Sequence, residues 1–167
     1  MNPAVGRACM FTVRMIQHIE SQADVLSGQL MHRLETSHEC CGLLQNVPAE
    51  ELKRHTYEIY RNLSNWLTAR TASEIEQRYV SLGSRRARQQ VLFSELLFAF
   101  NATKECLWEH LEQDGLFEDP MELIGDLNLL HSIGRFFDRV SLGAAVGYEK
   151  VQRKVRESVM HIPAHSN

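Results

Sequence analysis

Residues 120–158, PMELIGDLNLLHSIGRFFDRVSLGAAVGYEKVQRKVRES, decide the fold of this chain. Asp119 before Pro120 is typical of a helix start, since aspartate caps the first turn and proline suits the first helical position. No further proline occurs between Pro120 and residue 163. The stretch therefore predicts one helix of nearly 40 residues, from 120 to about 158.

An apolar stripe follows this helix at alternating spacings of four and three residues, which is the pattern of a packed helical seam. Residues 141–147 form a cluster of small side chains within it, and such side chains permit close approach of a second helix. We expect the chain to form a homodimer through this helix, with the cluster as its adjustable part. The candidate interface residues are Leu123, Leu127, Leu130, Phe137, Ala144 and Val151.

The rest of the chain also shows helical periodicity and no strand pattern. Glycine at 83 is expected to interrupt one helix and to leave a short basic turn, Ser84 to Arg88, behind it. The predicted fold class is all-α, a bundle of about five to six helices with a long C-terminal helix. The other predicted helices cover 9–36, 48–69, about 72–82 and 92–113.

Length and composition indicate one globular domain over residues 1–167, with 1–8 and 159–167 flexible. The net charge of -3 argues against a nucleic-acid binder, which would present a basic face. No apolar run reaches the roughly 18 residues that a membrane span needs. With no export signal and no CxxC pair, we predict a cytoplasmic protein with reduced cysteines.

Eight histidines raise the question of a metal or heme. His110 and His131 lie on strong helices, and each is a candidate heme ligand. No HExxH motif and no pair of histidines four residues apart within a helix is present, so a metal site is not predicted. Because ordinary, partly exposed histidines explain both residues better, we expect no cofactor.

Residues 37–42, Ser-His-Glu-Cys-Cys-Gly, loosely match the phosphoacceptor boxes of histidine kinases and phosphotransfer proteins. The match ends after Glu39, and no nucleotide-binding glycine loop follows. His38 as a phosphotransfer residue is therefore a second alternative. Cys40 and Cys41 are adjacent and are expected to be buried or inert rather than redox-active.

Arg85, Arg86 and Arg88 form the densest basic cluster. A site for an anion or an acidic partner is one interpretation. A solvated helix face with local ion pairs is the stronger one.

The stretch from Leu52 to Glu112 carries a family resemblance. Its centre is Leu82-Gly83-Ser84-Arg85-Arg86-Ala87, followed after a short spacer by Ser94-Glu95-Leu96-Leu97 and a helix that reaches Leu107-Trp108. Over about residues 15–150 the chain resembles the N-terminal domain of RsbRD-type proteins, the RsbT co-antagonist family. The resemblance implies a bacterial sensory or regulatory module, and a globin-like helix arrangement is one candidate.

These observations favour a non-enzymatic signalling module that senses a ligand or a partner and transmits the signal through helix packing and dimerisation. The alternative is a globin-like sensor that binds heme or another small ligand. In the leading interpretation, the partners of this chain are a second copy of itself and a signalling protein or effector, and we expect neither nucleic-acid binding nor a membrane span.

Overall fold

The fold is described from a computed structural model, which describes the backbone of residues 3–113 and 123–160 and the side chains of 12–113 and 127–158. Within these ranges every regular element is helical, so the predicted all-α class is confirmed. The helices are α1 (Pro3–Ser21), α2 (Ala23–Thr36), α3 (Cys41–Asn46), α4 (Ala49–Arg61), α5 (Ala72–Arg88), α6 (Phe93–Gln113) and α7 (Leu123–Met160). A 3-10 turn (His38–Cys40) precedes α3, and a π-helical turn (Asn65–Ala69) lies between α4 and α5.

Several predicted helices occur close to their predicted bounds. Helix α6 matches the prediction for 92–113, and α7 is a single helix of 38 residues. The predicted cap at Asp119 and Pro120 lies outside the described residues. So do residues 1–2 and 161–167, and the flexibility predicted for the two ends stays a prediction.

Three predicted helix boundaries are wrong. The first helix is divided at Gln22, whose backbone N–H bonds to the carbonyls of both His18 and Ile19 at 3.1 Å. Gly83 does not interrupt α5, because that helix continues to Arg88. The predicted helix over 48–69 also ends at Arg61, before the π-helical turn.

The bundle has two hydrophobic cores. The larger core lies between α1, α4, α5, α6 and α7, around the buried rings of Tyr60, Tyr79 and Phe136. The smaller core joins α2, α3 and α6 around Leu34, Leu43 and Cys106. Helix α6 contributes to both cores, and so do α2, through Ala23 and Leu26 in the larger core, and α4, through Leu52 in the smaller one.

Candidate functional site

The most extensive contact between two elements is that of α5 with α7. The Ser84 hydroxyl donates to the carbonyl of Gly147 at 2.9 Å, and the Arg139 guanidinium bonds to the Glu76 carboxylate. Both pairs are 63 residues apart. A constant separation means that the two helices run in the same direction and in register.

Glycines allow the backbones of α5 and α7 to touch. A Cβ atom built on Gly83 would overlap the carbonyl oxygen of Ala144, and one on Gly147 would overlap that of Val80. A Cβ on Gly143 would lie 2.7 Å from the Glu76 carbonyl oxygen. The small-residue cluster predicted on α7 therefore serves a close helix contact within the chain. We name this contact, formed by residues 76–84 of α5 and 139–147 of α7, the glycine seam.

Helix α7 continues past the end of its partner. The separation of 63 places Arg88, the last residue of α5, opposite Val151. From Gln152 to Ser158 every residue of α7 is exposed. Val155 is 55% exposed although it continues the apolar line of Ala144, Tyr148 and Val151. We name residues 152–158 the projecting end.

The six candidate interface residues have different environments. Phe137 and Ala144 are buried within the chain, and Leu130 and Val151 are half-buried. Leu127 is exposed, while the side chain of Leu123 lies outside the described residues. An interface between two chains stays a prediction, and in this conformation Phe137 and Ala144 already have their contacts inside one chain.

Charged side chains connect α4 to α5. Arg86 donates to Glu51 at 2.8 Å, and Arg78 donates to Glu58 at 2.9 Å. The prediction of a solvated basic face is wrong for Arg86, which is 1% exposed. Arg85 and Arg88 are exposed, and Arg85 lies 3.5 Å from the same Glu51 carboxylate. The guanidinium of Arg86 therefore links α5 to α4 through Glu51 rather than forming an anion site.

Burial and pairing shift the pKa values of this layer. Burial raises the pKa of Glu51, but the hydrogen bond from Arg86 and the charges of Arg86, Arg85 and Arg54 outweigh it, so the pKa is lowered overall. Burial lowers the pKa of Arg86 against the opposing effect of Glu51. Paired, hydrogen-bonded charges of this kind tolerate burial that a lone charge would not.

His55 lies on α4 between these two ion pairs. Its ring meets that of Tyr79 edge-on, with 5.9 Å between the centroids. Within the described part of the chain, neither His55 Nε2 nor the Tyr79 hydroxyl has a hydrogen-bond partner, and both atoms are enclosed. Burial, helped by the charges of Arg78, Arg86 and Arg85 against that of Glu51, lowers the pKa of His55 to about 4. Burial raises the pKa of Tyr79, because it disfavours the charged form of the phenol just as it disfavours the charged form of the imidazole.

A cleft of about 220 Å³ opens where the π-helical turn meets α7. Two aromatic rings lie at its base, those of Trp66 and Phe136, with centroids 5.8 Å apart. Arg70, Arg135 and Arg139 also line it. Sequence reasoning missed this cleft, because Arg70 lies 65 residues before Arg135 and 69 before Arg139, so the three arginines do not form a cluster in the sequence. We name it the arginine cleft.

Comparison with known proteins identifies the family. The model of the family described as the RsbT co-antagonist protein RsbRD N-terminal domain matches residues 24–159, which is well over half of the chain. The chain belongs to this RsbRD N-terminal domain family. The predicted resemblance is thereby confirmed, and the domain is a regulatory module of a signalling family. No curated protein and no solved structure matches the chain.

The matched range gives the RsbRD N-terminal domain a clear anatomy in this chain. It begins at the start of α2, includes the glycine seam and the arginine cleft, and ends at the last turn of α7. None of the described helices has a window long and apolar enough to cross a membrane.

The histidines of this RsbRD N-terminal domain occupy dissimilar places. The ring of His110 on α6 stacks on that of His18 on α1, with centroids 5.5 Å apart and planes 5° apart, whereas His131 is exposed on α7. In residues 12–113 and 127–158 no three metal-binding side chains come together. Heme ligation by His110 or His131 stays a prediction, which the absorbance spectrum of the purified protein would test.

The segment that suggested phosphotransfer contains a buried thiol next to an exposed one. His38 is exposed at the start of the 3-10 turn, and phosphotransfer by it stays a prediction. Cys40 is buried, donates to the Leu34 carbonyl at 3.2 Å, and has a pKa raised chiefly by burial. Cys41 is exposed, so burial accounts for the expected inertness of Cys40 but not for that of Cys41, which stays a prediction.

Proposed function

We propose that this domain is a non-enzymatic signal-input module that senses a ligand or a partner and passes the signal to a second chain through α7. The observation that carries the proposal is the continuity of α7. One helix packs on the core at the glycine seam and also forms the projecting end. A displacement at one place must therefore reach the other along a single rigid element.

The glycine seam suits transmission because its closest contacts are between backbones rather than between flexible side chains. Gly83 and Gly147 bring backbone against backbone, so α7 cannot rotate by a simple change of rotamer. Tightly packed interfaces respond to small displacements by moving between discrete arrangements rather than by deforming continuously. A shift of α5 against α7 is then a shift of the projecting end.

We further propose that the projecting end pairs with its counterpart in a homodimer. Val155 is exposed in line with the residues that face α5 lower down the helix, and Val151 at the border is half-buried. An apolar line that leaves its partner helix in this way is the side that a second helix would cover. Arg153, Lys154, Arg156 and Glu157 surround it and would form the polar rim of such a contact.

The experiment is the native mass of the full chain by size-exclusion chromatography with light scattering. We expect a dimer for the unchanged chain, a monomer for Val155→Glu, and a dimer for the control Val25→Glu. Val25 on α2 is 49% exposed, close to the 55% of Val155, so the two substitutions place the same charge at equally accessible positions. A monomeric unchanged chain, or a dimeric Val155→Glu, would refute pairing through the projecting end.

A further inference from the structure

The arginine cleft has the composition of an anion site with an aromatic base. Three arginines line it, and no acidic residue is among its nine lining residues. The Arg70 guanidinium lies 3.6 Å from a carboxylate oxygen of Glu74, and the Arg139 guanidinium pairs with the Glu76 carboxylate. Among the described residues, Arg135 has no carboxylate partner. Arg135 is therefore the guanidinium of the cleft that has no described carboxylate within ion-pair distance, although Asp138 lines the neighbouring surface.

The base of the cleft is unusual in its backbone. Trp66 and Leu67 belong to the π-helical turn Asn65–Ala69, and isolated π-helical turns are frequent at functional sites. Arg70 and Arg78 lie over the Trp66 ring at 5.9 and 5.1 Å from its centroid. Both guanidinium groups therefore lie within cation–π distance of the indole, and the Phe136 ring lies beside it.

We propose that the arginine cleft binds a small organic carboxylate with a flat, apolar body. Its carboxylate would lie on Arg135, since guanidinium groups bind carboxylates through paired, charge-assisted hydrogen bonds. Its ring would lie against the parts of Trp66 and Phe136 that line the cleft, which are small because the two residues are 7% and 3% exposed. The cleft holds about seven water volumes, which suits a molecule of the size of benzoate.

The position of the cleft connects binding to the output helix. Arg135, Phe136 and Arg139 all lie on α7, and Arg139 is bonded to Glu76, whose carbonyl is in the glycine seam. A bound carboxylate would compete with Glu76 for Arg139 at one end of that seam. This inference deepens the proposed function by naming the class of signal, but binding at the cleft requires no dimer.

Benzoate, titrated into the full chain by calorimetry, is the probe. We expect saturable binding, with inorganic phosphate and benzyl alcohol each binding at least about ten-fold more weakly, since each offers half of the required chemistry. The emission of Trp66, followed in a Trp108→Phe variant, should change with the same affinity. Equal affinity for phosphate would indicate a simple anion site and would overturn the aromatic part of the proposal.

Two substitutions at the cleft should act in opposite directions. Arg135→Gln should weaken benzoate binding by about ten-fold or more, because it removes the unneutralised guanidinium. Glu76→Gln should strengthen it, because it releases Arg139. The control Arg88→Gln removes an exposed arginine of α5 outside the cleft and should leave the affinity unchanged. A purely structural role of Arg135 would not produce this opposition.

The same titration in the monomeric Val155→Glu variant separates the two proposals. Unchanged benzoate affinity in that variant would support the carboxylate site even if pairing through the projecting end is refuted. Absence of saturable binding up to about 10 mM benzoate, roughly ten times the dissociation constant of a weak small-molecule site, would overturn the proposed site. So would an affinity that Arg135→Gln leaves unchanged.

Discussion

Glycines in helices have opposite roles at two positions of this domain. Gly28 on α2 has open space where a Cβ would lie, whereas a Cβ on Gly83 would overlap the Ala144 carbonyl. Gly28→Ala should raise the free energy of unfolding by about 1 kcal/mol, through helix propensity alone. Gly83→Ala should lower it by about 1–3 kcal/mol, the range for an overpacked core. Urea denaturation of both variants measures the pair, and equal stability of Gly83→Ala and the unchanged chain would contradict the glycine seam.

The buried imidazole of His55 makes stability depend on pH. The pKa falls from 6.5 to about 4 on folding, so the unfolded chain binds the extra proton first as the pH is lowered. The contribution of this group to stability is therefore fully present above pH 6.5, declines as the pH falls towards 4, and shows no further loss below that. The full shift corresponds to at most about 3 kcal/mol.

The variant His55→Phe isolates this contribution because it retains a ring against Tyr79 and cannot titrate. Denaturant unfolding at pH 7 and pH 5 should show a loss of stability for the unchanged chain and a clearly smaller loss for His55→Phe. Glu51 has a lowered pKa, so its ion pair persists over this window and does not imitate the effect. Identical pH dependence of the two proteins would contradict the enclosure of His55.

At the scale of elements, α5 ends where the sequence carries no obvious stop signal. The N–H of Gln90 bonds to the Ala87 carbonyl and that of Val91 to the Arg86 carbonyl, both at 3.1 Å. Among the described residues, Gln90 alone has a positive φ without being glycine, at 60°. These bonds and this conformation form a Schellman motif, whose left-handed position is usually glycine.

Replacing the glutamine tests that description. Gln90→Gly should raise the free energy of unfolding by about 1 kcal/mol, because an L side chain in the left-handed region is disfavoured by about that amount. Gln89→Gly is the matched control, since Gln89 has a φ of -79° and should gain nothing from glycine. Thermal and urea unfolding compare the two variants. A gain for Gln89→Gly with none for Gln90→Gly would show that the helix ends differently.

Local sequence signals and long-range contacts differ in what they allow the sequence to predict, and α5 shows both. The periodicity of α6 and α7 and the capping box at Thr71 and Glu74 are local signals, and each marks a real element. Gly83 was misinterpreted because a glycine that ends a helix and one that admits a neighbouring backbone look identical in sequence. Only the partner on α7, 61 residues away at Ala144, distinguishes them.

The candidate site depended on contacts of the same long range. Arg86 is buried because Glu51, 35 residues away, bonds to it, and the neighbouring exposed Arg85 has the same local pattern. The arginine cleft joins a π-helical turn to the middle of α7, and no periodicity indicates either the turn or the pairing. Sequence therefore located α7 but not the cleft beside it.

For the whole molecule, the apolar stripe of α7 serves two purposes in succession. Around Phe137 and Ala144 it is covered by α5 and the core, whereas Leu127 near its start is exposed. Beyond Val151 its apolar line is uncovered at Val155. A stripe that the sequence predicts to be one dimer seam is thus a core contact in its central part, and among its described residues Leu127 and Val155 are exposed on either side of that part.

This division predicts that folding and pairing can be separated by the place of a change on α7. A chain ending after Val151 lacks the projecting end but keeps the glycine seam, so it should retain its cooperative helical unfolding transition and lose the dimer. Ala144→Leu should instead lower stability by about 1–3 kcal/mol, since its side chain is fully buried against α5. Circular dichroism with light scattering reads both properties in each variant. A shortened chain that remains dimeric would place the interface elsewhere on the bundle, and one that unfolds would show that the core extends past Val151.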